Sequence, residues 1–265
     1  MISLDLHVHT TYSDGSDIRE MVAAADDAGL DAIGLADHCI LHEDRFRRCD
    51  RTDFDETYPE RRSDIERLQS EFDVTILDGV EMNYDPAYHD EIQEFLARAQ
   101  FDYTIGSVHY ADEYHIAKTG WFASVDEPDR AAAVDHYVDW QLQLIESELF
   151  DIVGHLDLCE RSSELRGRIT DEQYDDLLEA LGRSRSVPEI NAGRVFDDYG
   201  AVHPNPRVID RFLDSGVRFV LGSDAHKPTE LTKRAEYLTD FTESRDLECL
   251  PFENGLSVDE ALKAY

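Results

Sequence analysis

At 265 residues and 42% hydrophobic content, the chain can bury one large core, and none of its apolar runs approaches the roughly 18 to 20 residues a membrane helix needs. Its 59 acidic and 25 basic residues give a formal charge of -34, dispersed along the whole chain, which argues against non-specific binding to nucleic acid or anionic lipid. Lysine is scarce (Lys118, Lys227, Lys233 and Lys263), and a lysine-poor acidic surface suits a halophilic cytosolic protein, because concentrated salt screens self-repulsion.

In chain order, the first predicted strand is ISLDLHV (2–8). It starts directly after Met1, with no basic region and apolar stretch ahead of it, so no signal peptide is expected and a cytoplasmic location is. A helix follows in SDIREMVAAADDAGL, stopped by Gly29. The second strand is DAIGLADH (31–38). After it come His42 and the arginine-rich stretch 43–53, either a lid over a site or a solvated loop. A helix over 59–72, the strand VTILDGVEM (74–82), a helix over 88–100 and the strand YTIGSVHY (103–110) continue the alternation. His115 and Lys118 occupy the loop after that fourth strand. The helix over 128–148 carries Tyr137, Trp140 and Leu144 at core spacing. DIVGHLDL (151–158), a helix over 171–184, SVPEINAG (186–193), a helix over 205–216 and VRFVLGSDAH (217–226) complete the series.

No repeat, low-complexity tract or linker divides the chain, so 1–265 is expected to be a single domain. Cys39, Cys49, Cys159 and Cys249 are scattered, with no CxxC pair, and read as free thiols. Seven rounds of strand and helix imply a parallel sheet, closed into a barrel or doubly wound. The placement of the polar residues favours the barrel, in which function sits at the C-terminal strand ends. Those ends carry His7 and His9, His38, Glu81, His109, His155, Asn191 with Arg194, then Asp224 and His226; six of the eleven histidines lie on this one edge. His89, His136 and His203 fall elsewhere and read as structural.

His7 and His9 are two apart on a strand and share a face. Imidazole and carboxylate without thiolate suit Zn, Mn or Fe, and the donors outnumber the needs of one tetrahedral ion, so a multinuclear centre is expected. Asp14, in TTYSDGS, is either a helix cap or a ligand.

DLHVHTTYSDGS, GLADH, DGVEMN, GSVH, GHLD and GSDAH, in this order, resemble the PHP (polymerase and histidinol phosphatase) superfamily over essentially the whole chain. GSVHYAD, WQLQLIESELFDIVGHLDLCER, PEINAGR and LGSDAHKP are similar to its histidinol-phosphatase branch. The resemblance implies a distorted (β/α)7 barrel with three divalent metal ions. By motif, His7, His9, Glu81 and Asp224 would hold the first ion. Glu81 would bridge to a second, completed by His109 and His155, and Asp14, His38 and His226 would hold the third. Glu81, Asp224 and His226 would be the residues on which catalysis turns.

Two metals sharing a carboxylate can hold a hydroxide for in-line attack on a phosphomonoester, so no phospho-enzyme is required. The resemblance further implies that Arg161 and Arg194 bind the substrate phosphate, for which guanidinium geometry is suited; pairing with neighbouring carboxylates is the alternative. EINAGR is shorter than the branch's usual EINTSGLR. The expected reaction is hydrolysis of L-histidinol phosphate. A nucleotide or another small phosphate ester is the first alternative, and a catalytically silent metal-binding scaffold is the second. Neither a membrane nor a nucleic-acid partner is expected.

Overall fold

In a computed structural model that describes residues 2–42, 53–116, 118 and 120–248, the alternation of apolar runs and amphipathic stretches becomes a ring of parallel strands with helices outside it. β1 (Leu4–Val8), β2 (Ala32–Leu35), β4 (Thr75–Asn83), β5 (Tyr103–Ser107), β8 (Ile152–Val153), β9 (Val187–Asn191) and β10 (Val220–Gly222) are hydrogen-bonded in that order, and short β3 (His38–Cys39) adds to β4. Every pairing in this sheet is parallel.

The ends of the sheet meet. Val8 bridges to Ala225 in parallel register, with His9 N donating to Ala225 O at 2.9 Å and Asp224 N to His7 O at 2.7 Å. The buried Asp5 carboxylate reinforces the seam by accepting from Ser223 N at 3.0 Å. The fold is thus the expected α/β barrel with a nearly closed sheet.

Helices connect the strands: α1 (Ile18–Asp27), α2 (Phe54–Gln69), α3 (His89–Ala99), α4 (Glu127–Glu146), α5 (Asp171–Leu181), α6 (Pro206–Asp214) and α7 (Pro228–Glu243). α1 shows why these sequences fold so: Asp17 caps it through Arg19 N and Glu20 N, and Ile18, Met21, Val22 and Ala25 face the core. Two apolar clusters result. The larger lies between sheet and helices. The smaller, including Leu4, Leu6, Ala32, Leu77, Tyr103, Ile105, Ile152 and Val220, draws on strand residues without helix partners and fills the ring.

Three features differ from the sequence reading. α7 was not anticipated, although Pro228 at its first turn is a start signal. The fourth strand stops at Ser107, and β6 (Tyr110–Ala111) turns back on β7 (Tyr114–His115) as an antiparallel hairpin. The fifth covers only Ile152–Val153, because His155 adopts a positive φ of 21° and leaves the strand. Cys39 and Cys159 are buried free thiols; Cys49, Cys249 and the stretch 43–52 lie outside the described residues. His42 stands beside Tyr88, and its Nε2 is 3.9 Å from Asp85 Oδ2. No helix among the described residues is long and apolar enough to cross a membrane.

Candidate metal centre

Glu81, near the C-terminal end of β4, is fully buried with five imidazoles around it. Its Oε1 lies 2.9 Å from His155 Nε2 and 3.3 Å from His109 Nε2. Its Oε2 lies 2.6 Å from His38 Nδ1, 3.4 Å from His7 Nε2 and 3.6 Å from His9 Nε2. One carboxylate therefore stands between two sets of histidines, supplied by β1, β3 and the segments after β5 and β8.

The seam between β1 and β10 brings in the rest. Asp224 Oδ1 is 3.3 Å from His9 Nε2, and Asp14 Oδ1 is 3.2 Å from His226 Nε2 and 3.7 Å from His38 Nε2. Among the described residues the donors fall into three overlapping groups: His7, His9 and Asp224; His9, Asp14, His38 and His226; and His38, Glu81 and His109. All nine residues expected at the site converge. His38 belongs both to the group with Asp14 and His226 and to the group with Glu81 and His109, and His155 stands 2.9 Å from Glu81 with its ring against those of His7 and His109.

Do these residues suit metal ions? Buried His7 Nε2 and His9 Nε2 form no hydrogen bond, only the longer approaches to carboxylates given above. Interior polar atoms of that kind call for a partner, and a cation at the carboxylates supplies it. The protonation states agree. Burial works to raise the Glu81 carboxyl, but His38, His7 and His109 hold it well below the carboxylate range. Burial likewise opposes ionisation of Asp224, and the close approach of His9 at 3.3 Å with the charges of His7 and His226 prevails and holds it well below the carboxylate range. Burial first, then His226 and His38, push His9 down to about 4. Burial pushes His109 to about 4 as well, against Glu81. Ionised carboxylates and neutral imidazoles are the forms that bind metal. His7 departs from this: burial lowers it, yet Glu189 and Glu81 together raise it well above the ordinary value. Its proton occupies a position that suits a cation.

Supporting residues, which the motifs did not single out, hold the donors. Glu189 of β9 accepts from His7 Nδ1 at 2.7 Å through Oε1, while its Oε2 accepts from His155 N at 3.1 Å and Asn191 Nδ2 at 3.0 Å. It thereby turns Nε2 of His7 toward the site. Gly222 leaves room for this carboxylate: a Cβ there would stand 1.7 Å from Glu189 Oε1. Asp37 gathers the loop that carries Asp14, accepting from Thr10 N at 2.7 Å, Thr10 Oγ1 at 2.8 Å and Ser13 Oγ at 2.7 Å. Buried Arg61 of α2 pairs with Asp37 at 2.8 Å and with Asp78 at 2.5 Å. Arg234 of α7 donates to Asp224 O at 2.6 Å. The only advance signal was polar residue type at strand positions, as in PEIN.

Arg161, on the short 3-10 turn Leu158–Arg161 after β8, and Arg194, after β9, line one cavity of about 430 Å³ with Phe196, Asp197, Asp198 and Tyr199. Arg194 Nη1 donates to Asp197 Oδ2 at 3.0 Å. Burial, then repulsion from Arg194, push Arg161 down to about 10 despite Asp224 and Asp197. Two guanidinium groups that repel each other in one cavity suit an anion between them. His89 and His136 lie on helices, with His136 paired to Asp112. His203 is buried against Asp157 Oδ1 at 2.6 Å. His115 packs on Tyr110, and Lys118 on Trp121.

Known proteins resemble this chain over most of its length. A protein of Deinococcus radiodurans named probable histidinol-phosphatase is 29% identical over 235 residues, covering 86% of this chain and 87% of that one. The histidinol-phosphatase of Lactococcus lactis is 29% identical over 237 residues, 85% of each chain. A crystal structure of the Lactococcus lactis histidinol phosphate phosphatase, in complex with Zn, L-histidinol and phosphate, superposes with a TM-score of 0.73 at 25% identity, covering 91% of this chain and 94% of that one. The PHP domain model matches residues 5–193, the stretch from β1 through β9 that supplies seven of the nine converging donors. By fold, by donors and by that match, the chain belongs to the PHP domain family.

Proposed function

We propose that this chain hydrolyses L-histidinol phosphate to L-histidinol and phosphate, using three divalent metal ions. It is a phosphomonoester hydrolase of the metal-dependent kind, and the Glu81 carboxylate between two sets of histidines is the observation that carries the reading. His7, His9 and Asp224 would hold one ion with Glu81. Glu81, His109 and His155 would hold a second, and Asp14, His38 and His226 a third. Zn, Mn and Fe each suit this donor set. Bound there, such ions lower the pKa of water and neutralise phosphoryl charge.

The chain's own residues do the rest. Arg161 and Arg194 clamp the phosphate oxygens and set the ester against the metal cluster. Glu81 and Asp224 stay ionised and concentrate negative charge where the cations sit. His226, 3.2 Å from Asp14, stands at the more open side of the cluster, where substrate enters. The same proposal takes 1–265 as one domain. The Val8–Ala225 bridge supports it, because residues beyond the family match close the barrel and supply Asp224 and His226. It also places the enzyme in concentrated salt inside the cell, which the formal charge of -34 favours.

Phosphate release from L-histidinol phosphate, AMP and p-nitrophenyl phosphate, with added Mn or Zn in high salt, tests the proposal. A clear preference for histidinol phosphate in kcat/KM is expected. Preference for AMP, or equal weak activity on all three, would contradict the substrate while leaving the hydrolase.

A further inference from the structure

Asp157 and His203 are completely buried and take no part in the metal centre, yet they join the two segments that carry the cavity's arginines. Asn191 N donates to His203 O at 2.8 Å, and His203 N to Asn191 O at 2.9 Å. Residues 192–202, with Arg194 among them, thus form a loop closed at its base. Asp157 stands at the head of the 3-10 turn Leu158–Arg161, where Glu160 N donates to Asp157 O at 2.9 Å. One side-chain bond connects these two bases, from His203 Nδ1 to Asp157 Oδ1 at 2.6 Å.

The other Asp157 oxygen, Oδ2, accepts from Asn205 N at 2.7 Å and from the Tyr174 hydroxyl at 3.0 Å. A carboxylate that only accepts leaves the proton of the remaining bond on His203 Nδ1. The His203 ring stacks on Tyr199, with centroids 4.6 Å apart and planes at 12°. Asn205 Nδ2 in turn holds the Tyr199 hydroxyl at 3.1 Å, and Tyr199 lines the cavity beside Arg161 and Arg194. Such a brace meets an electrostatic need. Arg194 repels Arg161, and like charges in one cavity stay together only if their backbones are held. Burial first, then His155 and Arg194, keep His203 below its usual pKa despite Asp157, so the ring adds no third positive charge.

We propose that the Asp157–His203 pair is a positioning device that sets the spacing of Arg161 and Arg194 and, through it, the affinity for a phosphate group. The inference rests on the reading that these arginines bind phosphate, and it adds the residues that hold them together. Neither Asp157 nor His203 touches the substrate.

The test is the Kd of inorganic phosphate for the metal-loaded protein, measured by calorimetry, with bound metal counted in the same samples. His203→Phe keeps a flat ring against Tyr199 and removes the Nδ1 donor; His203→Asn returns an amide N–H close to the place of Nδ1. In His203→Phe the Kd is expected to rise roughly tenfold, the worth of one charge-assisted hydrogen bond, with metal content unchanged. His203→Asn is expected to restore most of the affinity. Added to Arg194→Ala, His203→Phe is expected to change little, because it acts through that arginine. Should His203→Phe not fold, Asp157→Asn, with the shape of the native side chain, carries the same test and the same expected rise. Wild-type phosphate affinity in folded His203→Phe or Asp157→Asn would overturn the device. So would a rise accompanied by loss of metal, or an equal rise with and without Arg194. Wild-type affinity in Arg194→Ala would overturn the parent reading, and the device with it.

Discussion

Glu189 shows how a single buried carboxylate can govern a site without facing it. Its bond to His7 Nδ1 leaves Nε2 of that ring facing the cluster, and partners of this type typically change metal affinity when lost. Glu189→Gln is expected to weaken metal binding by about 10- to 100-fold, read by competition with a chelator; unchanged affinity would remove Glu189 from that role. Arg194 acts on the substrate instead. Arg194→Ala is expected to raise KM for phosphomonoesters with a smaller effect on kcat, as loss of a ground-state contact should, and unchanged values of both would exclude it. The motifs made the nine converging residues legible, because strand alternation fixes which side chains share a face and the fold puts strand ends together. Glu189 was not legible: it meets His7 across 182 residues, and nothing local distinguishes it from any strand glutamate. Asp37 and Arg61 were hidden for the same reason.

At the scale of elements, α2 is bound to the barrel by charge as well as by apolar packing. Arg61 is completely buried, bonds to the carbonyls of Leu35 and Gly79 and to Asp37 and Asp78, and lies under the Phe54 ring at 4.5 Å. Burial disfavours the charged Asp37 carboxyl, and Arg61 with Ser13 reverses that and keeps it ionised. Arg61→Ala would leave Asp37 and Asp78 without their cation, and is expected to cost about 3–5 kcal/mol in chemical denaturation. A loss below 1 kcal/mol would show that the helix is held by packing alone. Because Asp37 also gathers Thr10 and Ser13, the Asp14 loop should loosen in the same variant. Element types were mostly readable in advance, since the alternation of periods repeats so often. Lengths were not. YTIGSVHY reads as one strand, yet β5 ends at Ser107 and the hairpin β6–β7 takes the rest, with Asp112 at a positive φ of 51° in its turn. DIVGHLDL is cut short because His155 must turn in to reach Glu81.

At the scale of the molecule, the acidic surface and the metal centre are separate problems in electrostatics. Surface charges repel one another across water and are screened by salt, whereas the buried cluster is screened little. Thermal stability is therefore expected to rise by several degrees between dilute buffer and molar KCl, while metal stoichiometry stays the same. A Tm independent of salt would contradict the halophilic reading. Closure of the barrel joins the two ends of the sequence, so His7 and His9 meet Asp224 and His226 across the seam between β1 and β10. The histidine pair near one end of the chain and the Asp–His pair near the other are thus parts of one site.

The measurement that bears most directly on that site is phosphate release from L-histidinol phosphate as chelator-stripped protein is titrated with Mn or Zn. Stripped protein is expected to be inactive, with activity returning and levelling off near three equivalents per chain, one for each group of donors. Full activity in the stripped protein, or none at any loading, would contradict a multinuclear metal-dependent phosphatase.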